Sequence, residues 1–329
     1  MQKKITLLRY WITLASCVVL YGAKAQQAVQ YSMVALNPYQ YNVGYGGLSN
    51  SLEATAVVRA QWNGIEGAPL SQNINAHLPL YYLHGGFGIN IDNDQLGAVR
   101  TTAAQLSYSY HIAMPNENIF SVGIGGGIVQ QAIDGTKLTT PDGIYSNGQI
   151  LHNDNFLANI KQSAIAPTFQ IGTYFKNKRL QIGLSANNLT ESYEKYTIKN
   201  LKIRLIKNIF CNFALDFEIG NKLILSPVLF VKSDVIQTQL EGGLRVLIEN
   251  NVTLGVSYRG YTKTSTDALV CIGGIRVNEK IKVAYAYDLG LSKLNSVQNG
   301  SHEIIIQYNL NKVIGGGLPE KIIYNPRFL

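Results

Sequence analysis

The sequence predicts an all-β protein, a closed antiparallel β-barrel of about fourteen strands in a bacterial outer membrane. Segments of alternating apolar and polar residues recur throughout residues 51–310. The gaps between these segments switch between short and long, as in barrels that keep short turns at one end and long loops at the other. Hydrophobic residues make up 46% of the chain and charged residues only 15%. No apolar run after the N-terminal segment is long enough for a membrane helix, whereas a barrel needs apolar residues only at alternate positions.

The first 25 residues have the pattern of a secretory signal peptide. Lys3 and Lys4 give a basic start, residues 5–21 are mostly apolar, and Ala23-Lys24-Ala25 is a typical cleavage site. A lipoprotein signal ending at Cys17 is the alternative, although the apolar core continues beyond that cysteine. Removal of the signal takes away four basic residues and lowers the formal charge from +8 to +4. This charge is too small to indicate nucleic-acid binding.

The mature chain divides into three predicted parts. We expect residues 26–50 to form a periplasmic segment, residues 51–310 to form the transmembrane barrel, and residues 311–329 to form a short periplasmic tail. Cys211 and Cys271 lie inside strand candidates among apolar residues, so packing is a better interpretation for them than a disulfide framework.

Fourteen segments pass the test of period-two alternation. In the thirteenth, for example, Tyr285 and Tyr287 alternate with Ala286 and Asp288. The ninth is the weakest, because Pro227 lacks a donor for the strand ladder. The segments lie near 51–62, 70–80, 85–93, 101–113, 118–132, 162–176, 179–188, 205–219, 222–233, 235–249, 252–261, 266–277, 281–289 and 301–310.

The connections predict the orientation of the barrel. Because outer-membrane barrels keep short turns in the periplasm and long loops outside, an even strand count places both termini in the periplasm. A soluble secreted β-sandwich or propeller remains the remote alternative. The predicted short turns are 83–84, 114–117, 177–178, 220–221, 250–251 and 278–279, and the predicted long connections are 63–69, 94–100, 133–161, 189–204 and 290–300.

Several short motifs, in order along the chain, resemble one family. They are Gln30-Tyr31-Ser32, Asn42 through Gly47, Arg59 through Pro69, Asp92 through Gly97, Ser107 through His111, Ile133 through Gly143, Tyr285 through Asp288, Ser301 through Ile304, and Asn325 through Leu329. Together they resemble the PorP/SprF-type membrane proteins of type IX secretion and gliding motility. One departure is Asn42-Val43-Gly44-Tyr45, where the family pattern has Asn-Pro-Ala-Tyr.

The resemblance implies an outer-membrane barrel that supports export or surface anchoring of a large secreted protein with a type IX C-terminal domain. It also implies contact with periplasmic ring components of the machine. An outer-membrane porin or small-solute channel is the alternative function. We expect outer-membrane lipids around the barrel, and no nucleic acid as a partner.

Three regions are candidates for partner contact: the loop after the first strand, the long 133–161 connection as a combined lid and docking surface, and the C-terminal tail. The alternatives are a tight loop that closes the top of the barrel for the first region and a cap on the lower rim for the tail. Gly64 and Gly67 permit backbone angles closed to other residues, and the tail carries apolar anchors after Gly315-Gly316-Gly317. The candidate residues are Trp62, Gly64, Ile65, Gly67, Pro69, Asp134, Lys137, Pro141, Asp142, Asn325, Pro326, Arg327 and Phe328.

Acidic and basic residues alternate on the predicted inner face. Such interleaving favours a network that crosslinks the wall and occludes the pore, since a selective channel would present a ring of one sign. The predicted lumen residues are Glu53, Arg59, Gln61, His111, Asp216, Glu218, Glu241, Arg245, Arg259, Lys282, Asp288 and Glu303.

Catalytic signatures are weak. The five histidines have no metal-ligand spacing, and the sequence contains no phosphate-binding loop, dinucleotide fingerprint or nucleophile elbow. Asp134, Asp142 and Asp154 could gather a calcium ion, but their spacing matches no calcium loop. We therefore expect a non-enzymatic protein without a cofactor.

Overall fold

The computed structural model describes residues 28–146, 149–154, 159–191, 193–195, 202–234, 236–262, 265–312 and 314. Antiparallel strands dominate the described chain, because the alternating residues give each strand one apolar and one polar face. The strands are β1 (Glu53–Ala60), β2 (Leu70–Leu80), β3 (Gly85–Leu96), β4 (Val99–Met114), β5 (Asn118–Asp134), β6 (Lys161–Lys176), β7 (Leu180–Asn187), β8 (Tyr193–Lys195), β9 (Lys202–Arg204), β10 (Asn208–Leu215), β11 (Phe217–Ile219), β12 (Leu223–Ser233), β13 (Thr238–Ile248), β14 (Val252–Thr262), β15 (Ser265–Arg276), β16 (Ile281–Gly290) and β17 (Ser301–Asn309).

The sheet closes on itself. β1 pairs with β2 on one side and with β17 on the other, so the first and last strands of the wall are neighbours. β10 pairs with both β7 and β12, and β11 also pairs with β12. β10 and β11 are therefore two parts of one wall strand, interrupted at Asp216. With these two counted as one, the wall has fourteen strands. The predicted closed barrel of about fourteen strands is confirmed. The short strands β8 and β9 pair only with each other, within the connection between β7 and β10.

The two ends of the barrel differ. One end, which we call the turn rim, carries the short connections 81–84, 115–117, 177–179, 220–222, 249–251 and 277–280, the start of β1 and the end of β17. The other end, the loop rim, carries the longer connections 61–69, 135–160, 188–207 and 291–300. The predicted long connection at 94–100 is wrong, because β3 and β4 extend through it and meet at a two-residue turn, Gly97–Ala98. Asp92 and Asp94 belong to β3, whose register continues past them to Leu96 opposite Val99.

The outer face of the wall is apolar. Ile74, Ile124, Ile165 and Leu184 are each more than half exposed although they lie in regular strands. Their neighbours on the same strands point into the barrel and are mostly polar or small. Such a band of aliphatic side chains suits contact with lipid. Among the residues described, no helix has the length and apolar character of a membrane-spanning helix.

Residues 28–50, which we call the lumen segment, lie inside the barrel. Three short 3-10 turns, Val34–Leu36, Pro38–Gln40 and Val43–Tyr45, shape this segment. Its tyrosines at positions 31, 39, 41 and 45 are each less than a tenth exposed, since they pack inside the barrel. The expectation of a periplasmic segment over residues 26–50 is thereby corrected for its described part.

Candidate functional site: a filled lumen and the loop rim above it

The lumen segment runs along the inside of the barrel from the loop rim toward the turn rim. Near its start, the ammonium of Lys232, close to the loop-rim end of β12, donates to the carbonyl oxygen of Ala28 at 3.1 Å. Near its end, the ammonium of Lys176, at the turn-rim end of β6, donates to the carbonyl oxygen of Leu48 at 3.0 Å. From there the chain enters β1, which runs back to the loop rim as part of the wall. The segment therefore lies along most of the length of the lumen.

Five predicted lumen residues meet in one buried cluster, which we call the lumen ion cluster: Arg59, Glu241, Arg259, Asp288 and Glu303. The Arg59 guanidinium lies 2.7 Å from the Asp288 carboxylate and 3.2 Å from the Glu303 carboxylate. The Arg259 guanidinium lies 2.8 Å from the Glu241 carboxylate and 2.9 Å from the Asp288 carboxylate. Each of the five side chains is less than a tenth exposed. Charge pairing with further hydrogen bonds is the usual way in which buried charges are tolerated.

Ser32 of the lumen segment sits at the centre of the lumen ion cluster. Its hydroxyl donates to the Asp288 carboxylate at 2.7 Å and accepts hydrogen bonds from Arg59 and Arg259, each at 2.8 Å. The backbone N–H groups of Ser32 and Met33 donate to the two oxygens of Glu303 at 2.7 and 2.9 Å. Hydrogen bonds to charged groups are stronger than neutral ones. The cluster thus binds the lumen segment through both a side chain and the backbone.

Aromatic rings hold the middle of the lumen segment. The Tyr41 ring packs between Phe210 and Phe230, with centroids 5.1 and 5.0 Å away. The Tyr39 ring lies 4.8 Å from the imidazole of His77, and its hydroxyl is 2.7 Å from the hydroxyl of Ser107. Packed aromatic pairs add stability beyond the area that they bury.

Glycines on the inner face make room for the segment. A Cβ at Gly88 of β3 would overlap with the hydroxyl of Tyr39, and a Cβ at Gly123 of β5 would lie 2.6 Å from the backbone of Val43. No real Cβ comes so close to another atom, so these wall positions require glycine. Three more inward glycines approach the segment in the same way: Gly86, Gly172 and Gly183.

The other predicted lumen residues occupy the two ends of the lumen. The His111 imidazole lies 2.8 Å from the carbonyl oxygen of Gly46. Arg245 contacts Asp216 at 3.4 Å and the carbonyl oxygen of Ala35 at 3.4 Å. The remaining four lie apart from the lumen ion cluster: Glu53 accepts a hydrogen bond from Asn309, Lys282 lines a cavity of about 220 Å³ near the turn rim, Gln61 lines a cavity at the loop rim, and Glu218 is exposed in β11.

The loop after β1 is tied to its neighbours at the loop rim. The N–H of Trp62 donates to the Ser301 hydroxyl at 3.1 Å, and residue 63 exchanges backbone hydrogen bonds with residues 299 and 300. Trp62, Gly64 and Gly67 all have positive φ angles, of 54°, 97° and 73°. The N–H of Gly97 donates to the carbonyl oxygen of Gly67 at 2.9 Å. Ile65 and Pro69 lie in the same loop, which is therefore a fixed surface joined to two other connections.

The 135–160 connection folds around a histidine that the sequence analysis left without a role. His152 is buried, with Nε2 2.8 Å from the carbonyl oxygen of Gly135 and Nδ1 2.9 Å from the Tyr145 hydroxyl. Asp134 accepts hydrogen bonds from Thr136, and Lys137 ends the short 3-10 turn 135–137. Pro141 and Asp142 form an exposed turn. The His152 contacts stay within the connection, and the expected role of residues 133–161 as a lid and docking surface stays a prediction.

The predicted tail residues Asn325, Pro326, Arg327 and Phe328 lie outside the described residues. In the described part of the chain, no group of three or more His, Cys, Asp or Glu side chains is arranged to hold a metal ion. Cys211 and Cys271 are free thiols.

Three solved structures illustrate what the chain trace is similar to. The outer membrane protein Omp33 of Acinetobacter baumannii is 4% identical, with a TM-score of 0.42, over 79% of this chain and 97% of that one. A FadL homologue of Pseudomonas aeruginosa is 12% identical, with a TM-score of 0.43, over 79% and 89%. The CymD monoaromatic hydrocarbon channel is 10% identical, with a TM-score of 0.44, over 87% and 94%.

No curated protein matches the chain. The family model described as "Type IX secretion system membrane protein PorP/SprF" matches residues 23–308, which include the lumen segment and every strand of the wall up to the penultimate residue of β17. The resemblance carried by the short motifs is confirmed, and the chain belongs to the PorP/SprF family of type IX secretion system membrane proteins.

Proposed function

We propose that this protein is a closed, non-enzymatic scaffold that holds a secreted partner at the outer face of the membrane for type IX secretion or gliding. The protein is an outer-membrane β-barrel, and its family is one of type IX secretion. The observation that carries the proposal is the lumen segment, fixed to the wall by the lumen ion cluster and by aromatic packing. A lumen occupied by its own chain favours a holding role over solute transport.

The loop rim supplies the surface for the partner. Loops 61–69 and 291–300 are joined by backbone hydrogen bonds, and the Gly97 turn is bonded to the first of them. Because these loops are already ordered, the barrel loses little of its own conformational freedom when a partner binds. By resemblance to the family, this partner is a secreted surface protein with a type IX C-terminal domain.

The turn rim faces the machine in this proposal. β17 ends at Asn309 on this rim, so the tail after it begins on the periplasmic side, where the ring components of the secretion machine would meet it. Removal of residues 320–329 should abolish co-purification with those components while the barrel still inserts. Unchanged co-purification would remove the tail from the proposal.

The holding role predicts a specific loss in cells. Replacement of residues 144–155 by an equally long Gly/Ser segment should release the secreted partner into the medium, because β5 and β6 stay paired up to Asp134 and Lys161 below the loop. The matched control is the same replacement with Tyr145 and His152 retained, which preserves the inner contacts of the loop. Retention of the partner by the full replacement would contradict this assignment.

Single-channel recording separates the scaffold from a porin or small-solute channel. The purified protein in a planar bilayer should be nearly silent, since the lumen segment occupies the path. Steady conductance of the unmodified protein would refute the closed scaffold and favour the channel.

A further inference from the structure

A cavity of about 220 Å³, which we call the turn-rim cavity, lies between the lumen segment and the turn rim. Its wall comes from β13 to β17, and Leu36 of the lumen segment lines its inner end. The amide of Gln307 donates to the carbonyl oxygen of Leu36 at 2.6 Å, and the guanidinium of Arg245 donates to that of Ala35 at 3.4 Å. Residues of the 249–251 turn line the other end. The cavity therefore has a fixed floor and meets the turn rim.

Three basic side chains line the turn-rim cavity: Arg245, Arg276 and Lys282. Arg276 and Lys282 occupy directly paired positions of β15 and β16, and like charges at such positions destabilise a sheet. In the described part of the chain, neither side chain has a hydrogen bond or an ion pair that offsets this cost. The 277–280 turn between them adds one acid and one base, and so no net charge. This pair of cations lacks an anion.

The acids nearest the turn-rim cavity are already engaged. Asp216 contacts the guanidinium of Arg245 at 3.4 Å. Glu53 attracts Lys282 through space, but its carboxylate accepts from Asn309 at 3.2 Å and does not line the cavity. With both acids counted, the three cations leave an excess of one positive charge. This excess matches one carboxylate.

We propose that the turn-rim cavity binds a carboxylate side chain on an acidic segment of a periplasmic partner protein. The identity of the partner's side of the membrane rests on the proposed function, in which the turn rim faces the secretion machine. The Arg276 guanidinium can hold both oxygens of a carboxylate, while the Lys282 ammonium on the next strand supplies a second charge. The amides of Asn250 and Asn251 offer neutral donors at the opening. Because the cavity is far too small for a folded domain, the carboxylate arrives on an extended segment.

The test is binding of a synthetic peptide to the full-length barrel in nanodiscs of zwitterionic lipid, measured by fluorescence anisotropy. The labelled peptide Gly-Glu-Gly-Glu-Gly should bind at least about tenfold more tightly than its glutamine counterpart, because hydrogen bonds to charged groups are worth more than neutral ones. Arg276→Gln combined with Lys282→Gln should weaken the acidic peptide at least about tenfold. The matched control, Lys178→Gln combined with Arg179→Gln, removes two exposed charges from the same rim outside the cavity and should change the affinity less than about twofold.

A second measurement uses the unmodified barrel, in case the double variant does not fold. An amine-acylating reagent is applied with and without the acidic peptide, and acylation of Lys282 is quantified by mass spectrometry. At a peptide concentration of about ten times Kd, acylation of Lys282 should slow about tenfold, because only the free site reacts. Lys178 on the same rim is the internal control and should react at an unchanged rate. Equal rates for Lys282 with and without the peptide would overturn the proposal.

Three other results would also overturn it. The first is equal affinity of the acidic and glutamine peptides, or equal weakening by the two double variants. The second is displacement of the peptide by an equal concentration of inorganic phosphate, which would identify a site for small anions. The third is a clear gain of peptide affinity on removal of residues 320–329, which would make the tail the occupant. These measurements do not use the secretion machine, so their failure is distinguishable from a failure of the co-purification assay.

Discussion

The substitution Arg59→Met tests whether the lumen ion cluster holds the lumen segment in place. Arg59 is 1% exposed and donates to Asp288, Glu303 and Ser32. Methionine keeps most of the volume but removes the charge and all three hydrogen bonds. Asp288 then retains Arg259 and the Ser32 hydroxyl, whereas Glu303 retains only the backbone N–H groups of Ser32 and Met33.

The magnitude follows from the uncompensated charge. Removal of one partner of a buried ion pair costs about 3–5 kcal/mol. Backbone hydrogen bonds between neighbouring strands hold the wall together. Loss of Arg59 therefore mainly destabilises the docked state of the lumen segment. At about 1.4 kcal/mol per factor of ten, the undocked population rises by roughly two to three and a half orders of magnitude.

The assay is planar-bilayer recording of single-channel conductance. The Arg59→Met barrel should open transiently, whereas the unmodified barrel should be nearly silent. The control is Lys178→Met, which also removes one positive charge from an ion pair, but from a pair with Glu117 that is about 70% exposed at the turn rim. Exposed pairs contribute little, so this variant should stay silent. A second substitution, Glu303→Gln, made in the Arg59→Met background removes the stranded carboxylate and should reduce the openings. Equal silence of Arg59→Met and Lys178→Met would refute the reasoning.

Three further substitutions test other parts of the structure. Gly88→Ala places a Cβ 2.5 Å from the Tyr39 ring and should destabilise the docked lumen segment by about 1–3 kcal/mol. Bilayer recordings should show this as channel openings. The control Gly242→Ala, where a Cβ has room, should cause no openings. Ile124→Lys on the lipid face should destabilise the barrel by about 2–4 kcal/mol in denaturant titrations in vesicles, and no change would contradict the assignment of that face. His152→Ala should make the 135–160 loop sensitive to protease on intact cells while the wall stays resistant; an equally resistant loop would contradict the role of His152.

The positions of the wall strands were predictable because a wall between lipid and a polar lumen imposes strict alternation. The same rule explains the error at 94–100. Asp94 looks like a loop residue in the sequence, but it pairs with Ser71 on one side and Thr101 on the other and belongs to β3. Polar residues that face a lumen and polar residues of a loop have the same composition, so only the register distinguishes them.

The lumen segment was missed for a different physical reason. It contains 3-10 turns without a regular period, and its contacts are with residues far away in the sequence, such as Tyr41 with Phe210 and Phe230. The inward direction of Arg59 and Glu303 was predicted, whereas Ser32 as their common partner was not. A signal does exist in hindsight: inward strand positions occupied by glycine indicate that something else fills the lumen.

The lumen segment joins strands from opposite ends of the chain. Ser32 contacts side chains of β1, β14, β16 and β17 through the lumen ion cluster, whereas Tyr39 contacts β2 and β4. The binding site for residues 28–50 is therefore complete only when the last strands of the wall have reached the first ones. Because β1 and β17 form the seam between the two ends of the chain, docking of the segment stabilises closure of the barrel as well as filling its lumen. A closed wall and a filled lumen are thus two results of one set of contacts.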